Sequence, residues 1–153
     1  MKKRMLFVYL LILASCTEKD SGTLPFGVNF HPVSNYQILK NGKWVMSAST
    51  VDPPVNGGKS DLLADLPVCY KDDTMMFYKY DKLVVHNGID RCTVTEPEEQ
   101  YSLWYMRGDD SVNINSEWHR IKHITSKELI MEKRQTINAT DHIFTVTYVN
   151  REE

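Results

Sequence analysis

Histidines and clustered carboxylates are the side chains of this 153-residue chain whose chemistry first suggests metal binding or catalysis. His119 and His123 stand four residues apart, which is the spacing of two zinc ligands on one face of a helix. No glutamate follows His119, however, and the residues between the two histidines alternate in character as they do in a strand. On a strand the two histidines would lie about 13 Å apart, at ~3.3 Å per residue, which is too far for one ion. We therefore predict no metal site and no cofactor.

Motifs of covalent catalysis are also missing from the sequence. It has no Gly-x-Ser-x-Gly elbow, no glycine-rich phosphate loop and no cysteine–histidine pairing with a catalytic logic. The acidic pairs and runs, such as Asp72-Asp73 and Glu98-Glu99, are typical of solvated loops. The sequence therefore predicts a protein that is not an enzyme.

The first of the three cysteines, Cys16, follows an apolar run near the amino terminus. Residues 1–4 are mostly basic, and residues 5–14 are almost wholly apolar. A run of this length is too short to span a bilayer as a helix, which takes roughly 20 residues. The pattern is typical of the basic and apolar regions of a secretory signal peptide. A free cysteine at an ordinary cleavage site is the alternative to a special role for Cys16.

The residues before Cys16, Leu13-Ala14-Ser15, resemble the lipobox of bacterial lipoproteins. The resemblance implies a signal peptide over 1–15, a diacylglycerol on the Cys16 sulfur and acylation of the new amino terminus, since a thiolate is the nucleophile this alkylation needs. Several acyl chains, at ~0.8 kcal/mol per buried methylene, would form a stable anchor. The protein would then lie in the outer membrane, on its periplasmic face or at the cell surface. Residues 16–35 would form the lipidated tether; residues 17–20 are either a loose export signal for the surface or simply a solvated segment.

The charge of the chain excludes some partners. The formal net charge is −2, and loss of the three basic residues of the signal peptide would make it −5. A mildly acidic chain has no electrostatic footprint for nucleic acid, so we predict no nucleic-acid partner. It also lacks the basic cluster that holds proteins to anionic lipid.

The other two cysteines, Cys69 and Cys92, form an even pair once Cys16 carries lipid. The lipoprotein resemblance implies an oxidising compartment, in which such a pair favours a disulfide. The bridge would contribute about 3 kcal/mol by the chain-entropy estimate. The alternatives are two free buried thiols or half of a metal site.

Short strands account for most of residues 36–153, which we interpret as one domain of normal size. Helix signals are limited to a turn over 36–39 and a second one over 60–66, with Ser60 as N-cap and Pro67 as stop. A loop is predicted over 52–58. The predicted strands are 43–50, 74–80, 83–86, 101–106, 111–115, 117–121, 127–133 and 142–149.

The spacing of these eight strands is too short for helical crossovers, so sequential antiparallel pairing is expected. Apolar and polar residues alternate in several of them, which indicates a half-buried sheet. Eight strands remove their exposed edges by closing on themselves. The predicted fold is all-β: an eight-stranded antiparallel up-and-down barrel with one or two short helices.

The stretch Gly42-Lys43-Trp44 resembles the Gly-x-Trp signature of lipocalins. The segment from Leu66 to Cys92, with a cysteine, a Lys-Asp-Asp run, an aromatic strand and a second cysteine, resembles the lipocalin-like domains of bacterial surface lipoproteins. The likeness covers about residues 36–150. It implies that Trp44 lies across the closed end of the barrel. It also implies that Arg151 packs on the indole face, with a solvated Arg151 as the alternative.

Two functions follow from such a barrel. In the first, the interior binds a small apolar ligand, because concave apolar pockets are the usual ligand sites. The candidate inward residues are Trp44, Phe77, Leu103, Tyr105, Val112, Ile114, Met131 and Phe144. The alternative is that these side chains fill the interior and leave no cavity. In the second, the protein is an accessory interaction subunit that binds a glycan or a protein partner through its loops at 52–60 and 93–100.

Overall fold

The computed structural model describes residues 34–151, so Cys16, the signal peptide and nearly all of the predicted tether lie outside the described residues. Within this range the chain forms one α-helix and nine strands. Their bounds are α1 Asn35–Asn41, β1 Trp44–Val55, β2 Lys59–Asp61, β3 Thr74–Phe77, β4 Lys82–His86, β5 Glu99–Arg107, β6 Ser111–Ile114, β7 Glu117–Ile124, β8 Glu128–Ile137 and β9 Thr140–Asn150. A single 3-10 turn, Val68–Tyr70, lies between β2 and β3.

Eight of the strands close into an antiparallel barrel. Neighbouring strands pair in the order β1-β3-β4-β5-β6-β7-β8-β9, and β9 pairs again with β1, which closes the ring. The closing ladder runs from Trp44 opposite Asn150 to Asp52 opposite Ile143. The short strand β2 folds back on β1 outside this ring. The predicted eight-stranded up-and-down barrel is confirmed.

Helix α1 closes one end of the barrel. The Ser34 hydroxyl caps it by accepting a hydrogen bond from the Gln37 amide, and it ends at Gly42. Its one buried side chain, Leu39, joins the barrel core. The indole nitrogen of Trp44 donates a 2.9 Å hydrogen bond to the Leu39 carbonyl, which ties the helix to the first strand. Turns 78–81, 108–110 and 125–127 lie at this end, which we name the closed end.

The core is built from one face of each strand, as the alternation predicts. The largest fully buried side chains are Trp44, Trp104, Phe77, Leu39, Leu83, Leu129 and Val112. Phe77 meets Trp104 edge to face, with ring centroids 4.9 Å apart. Burying side chains of this size contributes about 1.5–3 kcal/mol each.

Two sequence predictions were wrong in the region that follows β1. No helix forms over 60–66: Lys59–Asp61 is strand β2, and the Leu62 and Leu63 amides both donate to the Ser49 carbonyl. The predicted loop 52–58 is shorter, because β1 continues to Val55. The two prolines of that extension lie past Asp52, where the ladder to β9 has ended, so their missing N–H groups cost no strand pairing.

The remaining strand predictions are confirmed in position, with changed ends. β3 stops at Phe77 rather than at residue 80, because Tyr80 and Asp81 adopt positive φ and reverse the chain. The tight turns between β6 and β7 and between β8 and β9 each hold two positive-φ residues, as type I′ hairpins require. Within residues 34–151, α1 is too short and too polar to cross a membrane.

Candidate ligand-binding site

A cavity of about 390 Å³ lies against the inner wall where β1, β3, β4 and β9 meet. The register places Trp44, Met75 and Val85 side by side across three strands, and Met46 beside Tyr148 across two. The segment between β2 and β3 supplies the rest of the lining, namely Leu66, Tyr70 and Asp73. Five of the eight lining side chains carry neither a hydroxyl nor a carboxylate, so the cavity is mainly apolar.

Tyr148 is the first polar group of this cavity. Its side chain is partly buried against the core, and burial raises the pKa of its phenol to about 12, so the hydroxyl stays protonated at any physiological pH. The hydroxyl forms no hydrogen bond with any residue of the 34–151 range, and the side chain lines the cavity. A neutral donor that faces an apolar space is free to bind a ligand oxygen.

Asp73 is the second polar group. The pKa of its carboxyl is raised, mainly by burial. The Gly88 amide lowers this pKa by donating a 3.1 Å hydrogen bond to Oδ1, and the negative charges of Asp72 and Glu96 raise it. The cavity therefore pairs a neutral donor with a carboxylate whose charge is disfavoured. Such a site suits a ligand with one polar end, rather than a fully apolar or a strongly charged one.

The disulfide between Cys69 and Cys92 holds the lining segment in place. It joins the segment before β3 to the loop between β4 and β5, with the two Cα atoms 5.2 Å apart, and confirms the predicted pairing. The Asp72 carboxylate strengthens the same junction by accepting hydrogen bonds from the Ile89 and Asp90 amides, at 2.7 and 3.3 Å. A side chain at Gly88 would overlap this carboxylate, so only glycine allows the loop to approach so closely.

The structure places four of the predicted interior residues in the core: Trp44, Phe77, Val112 and Met131 are buried. Ile114 is partly buried against them, and Phe144 is half-buried on β9. Of the whole predicted set, only Trp44 lines the cavity. Phe77, Val112, Ile114 and Met131 fill the barrel elsewhere, which is the alternative that the sequence left open.

Leu103 and Tyr105 were wrongly predicted to point inward. Their side chains are 66% and 46% exposed, and the inward residues of β5 are Trp104 and its alternating neighbours. Trp104 is fixed inside by a 2.9 Å hydrogen bond from its indole to the Tyr78 carbonyl. Both faces of β5 carry large apolar residues, so alternation alone identified the two faces but not which one is buried.

Sequence reasoning missed seven cavity residues, which are Met46, Leu66, Tyr70, Asp73, Met75, Val85 and Tyr148. Met75, Val85 and Tyr148 continue the alternation of predicted strands, so choosing the correct face would have found them. Leu66 ends the segment that was given a helix and Tyr70 lies beyond it, and only their closeness to Cys69 offered a signal.

Arg151 and Trp44 lie in different surroundings. The Arg151 amide donates to the Lys43 carbonyl, and its exposed side chain lines a polar surface hollow with Asp72 and His86. The cation–π contacts of the 34–151 range involve the rings of Tyr36, Tyr78, Tyr101 and Trp118, and do not pair Arg151 with Trp44.

The two histidines of the zinc spacing face different environments. His119 is opposite the inward residue Val112, and burial lowers its pKa, so it stays neutral. His123 follows a bulge and lies 3.9 Å from Glu128 at the surface. No group of three or more His, Cys, Asp or Glu among the described residues could hold a metal ion.

The fold is thus a closed eight-stranded antiparallel barrel with one end covered by a helix. Solved structures similar to the chain include aphrodisin, a sex pheromone from female hamster (TM-score 0.41, 14% identity, covering 72% of this chain and 74% of that one). They also include the odorant-binding protein from bovine nasal mucosa (TM-score 0.43, 9% identity, covering 81% and 78%) and a complex of the bovine protein with undecanal (TM-score 0.40, 9% identity, covering 73% and 71%). These neighbours are lipocalins. No family model and no curated protein matches the chain.

Proposed function

We propose that the barrel binds a small, mainly apolar molecule with one polar end, and that the protein does so without catalysis. The cavity of about 390 Å³ carries this proposal, because its volume is within the range of small-molecule sites and its wall is apolar. The Tyr148 hydroxyl and the Asp73 carboxyl give the ligand one place for a hydroxyl or carbonyl group. A medium-chain alcohol is a suitable probe of this chemistry.

Neighbouring methionines on β3 offer a matched test. Met75 lines the cavity. Met76 lies on the other face of the strand, where its sulfur accepts a hydrogen bond from the Tyr78 hydroxyl. We expect Met75→Trp to fill the cavity and weaken binding of 1-decanol by at least about tenfold, since each tenfold corresponds to 1.4 kcal/mol. Met76→Trp should bind as the unchanged protein does. The measurement is displacement of a fluorescent naphthylamine probe, with circular dichroism to confirm that both variants fold.

Equal binding of decanol by the unchanged protein and Met75→Trp would contradict the cavity as the binding site. No binding by the unchanged protein would contradict the proposed function itself. Tyr148→Phe separates the polar contact from the apolar one: it should weaken binding of 1-decanol while leaving binding of decane unchanged, because it removes only the hydroxyl.

We also propose that a lipid on Cys16 anchors the protein in the outer membrane, on its periplasmic face or at the cell surface. The support is the sequence around Cys16, in which an apolar run ends at small residues before a cysteine. Metabolic labelling with radioactive palmitate should label the protein, and Cys16→Ser should abolish the label. An unlabelled parent protein would refute the anchor and leave the cavity proposal untouched.

A further inference from the structure

A row of large apolar side chains lies on the outside of the barrel. Tyr101, Leu103 and Tyr105 follow one another along the outer face of β5, and Trp118 lies across β6 from Tyr105, because Tyr105 and Trp118 are both opposite Asn113. Tyr101 is 62% exposed and Trp118 39% exposed. We name these four residues the outer aromatic face. None of them belongs to the cavity.

Contacts with neighbouring side chains hold these rings in fixed orientations. Tyr105 meets Trp118 edge to face, with the ring centroids 5.4 Å apart and the planes at 88°. The Arg107 guanidinium lies 4.4 Å from the centroid of Trp118, and the Lys82 ammonium lies 4.3 Å from the centroid of Tyr101. Rings held in this way lose little conformational entropy when a ligand stacks on them.

Positive charge surrounds the same face. Arg107 and Arg120 are both opposite Ser111, so they lie on the outside of adjacent hairpins, and Lys82 lies opposite Leu103. None of these three cations forms an ion pair with a residue of the 34–151 range.

Two acidic side chains of the adjoining strands form ion pairs with lysines. The pairs are Glu117 with Lys133 and Glu132 with Lys122, and Glu128 lies 3.9 Å from the His123 ring. Arg107, Arg120 and Lys82 thus lie beside the exposed rings without an ion-pair partner in the 34–151 range, in a chain whose formal net charge is −2.

We propose that the outer aromatic face binds an acidic polysaccharide. The flat C–H faces of sugar rings stack on exposed tyrosine and tryptophan, and the carboxylates of an acidic sugar complement Arg107, Arg120 and Lys82 through charge-assisted hydrogen bonds. Uniform apolar contact, as with a lipid surface, does not fit, because Ser111 and the cations interrupt the apolar side chains. The site is independent of the cavity, because it lies on the opposite side of the strands.

Polygalacturonate is the probe for this site, with neutral dextran, poly-glutamate and single-stranded DNA as comparisons. We expect the full-length protein to bind polygalacturonate in isothermal titration calorimetry, more weakly as salt is raised, and to bind the other three poorly. Dextran lacks the charge, poly-glutamate lacks the sugar rings, and DNA tests whether any stacking polyanion suffices. Equal binding of poly-glutamate or DNA would overturn the proposal, as would no binding of polygalacturonate.

Variants separate the contribution of the positive charges from that of stacking on the aromatic rings. Arg107→Gln with Arg120→Gln should weaken binding of polygalacturonate by at least about tenfold, since the charge-assisted hydrogen bonds of both guanidinium groups are lost. Lys59→Gln with Lys127→Gln removes the same charge elsewhere on the barrel and should leave binding within about twofold, because screening limits distant charges. Trp118→Ala should also weaken binding, whereas Val94→Ser, at a fully exposed loop position, should not. Equal effects of the two charge pairs would show non-specific attraction and overturn the proposal.

Discussion

At the scale of single residues, the contact between Gly42 and Trp44 determines how the helix meets the barrel. A Cβ atom at Gly42 would overlap the indole ring of Trp44, although the backbone of Gly42 itself is in an extended conformation open to any residue. The glycine is therefore required for space and not for its dihedral angles. This gives the short Gly-Lys-Trp stretch a physical cause: the indole packs across the chain that leads into its own strand.

We expect Gly42→Ala to destabilise the protein by about 1–3 kcal/mol, the cost of overpacking a filled core. The indole would have to move, and its hydrogen bond to the Leu39 carbonyl would be lost or strained. Urea unfolding followed by tryptophan fluorescence measures the change. Asn41→Ala, at the exposed last residue of α1, is the control and should stay within about 0.5 kcal/mol. A Gly42→Ala variant as stable as the control would contradict the packing argument.

Asp73 gives stability a dependence on pH. Its pKa is raised in the folded protein, mainly by burial, so the folded state binds more protons than the unfolded state above the ordinary value of 3.8. Stability therefore falls as the pH rises from that value through the folded pKa, and the loss stays constant at higher pH. We expect Asp73→Asn to be more stable than the parent at pH 7 and to lose less stability across that window. Urea unfolding from pH 4 to pH 8 measures this.

The control for that series is Asp109→Asn, in the exposed turn between β5 and β6. It should follow the parent across the whole pH range. The argument fails if Asp73→Asn is less stable than the parent at neutral pH, because the weaker hydrogen bond from the Gly88 amide to a neutral oxygen would then outweigh the relief of the buried charge.

At the scale of elements, the disulfide connects two loops that no strand pairing joins. We expect Cys69→Ser with Cys92→Ser to lower the free energy of unfolding by about 2–4 kcal/mol. The cavity wall at Leu66 and Tyr70 should loosen as well, because the bridge fixes the segment between them, and decanol affinity should fall. Thermal unfolding with and without reductant measures the first effect. The reductant should lower the Tm of the parent and leave that of the double variant unchanged; equal responses would contradict the role of the bridge.

The sequence predicted most of the strands because turn residues and alternation are local signals. Gly108 and its acidic neighbours marked the β5–β6 hairpin, and the structure forms it there. The face of β5 was not predictable in the same way, since Trp104 and Tyr105 are both aromatic and only the closed barrel decides which one is buried. The segment 60–66 failed for a similar reason: its cap and stop signals favoured a helix locally, but pairing of β2 with β1 prevailed.

At the scale of the whole molecule, the barrel is unequally braced around its circumference. The β8–β9 ladder runs without interruption from Glu128 opposite Val149 to Ile137 opposite Thr140, and β9 continues the pairing along most of β1. On the other side of β1, only Trp44 and Val45 pair with β3. The cavity lies at this weakly paired junction, where the disulfide-bonded segment and not a long ladder completes the wall.

This asymmetry predicts how the amides exchange with solvent. Exchange of a strand amide requires opening of its ladder, so long continuous ladders protect more than short ones. We expect the amides of β8 and β9 to exchange at least about tenfold more slowly than those of β2 and β3 in hydrogen–deuterium exchange mass spectrometry.

Decanol should slow exchange in β3 and in the segment before it, because the ligand would bridge the wall there, and Met75→Trp should abolish that effect. Exchange in β3 as slow as in β9 would show that the β1–β3 junction is not the weak side of the barrel, and protection by decanol confined to β8 would place the ligand elsewhere.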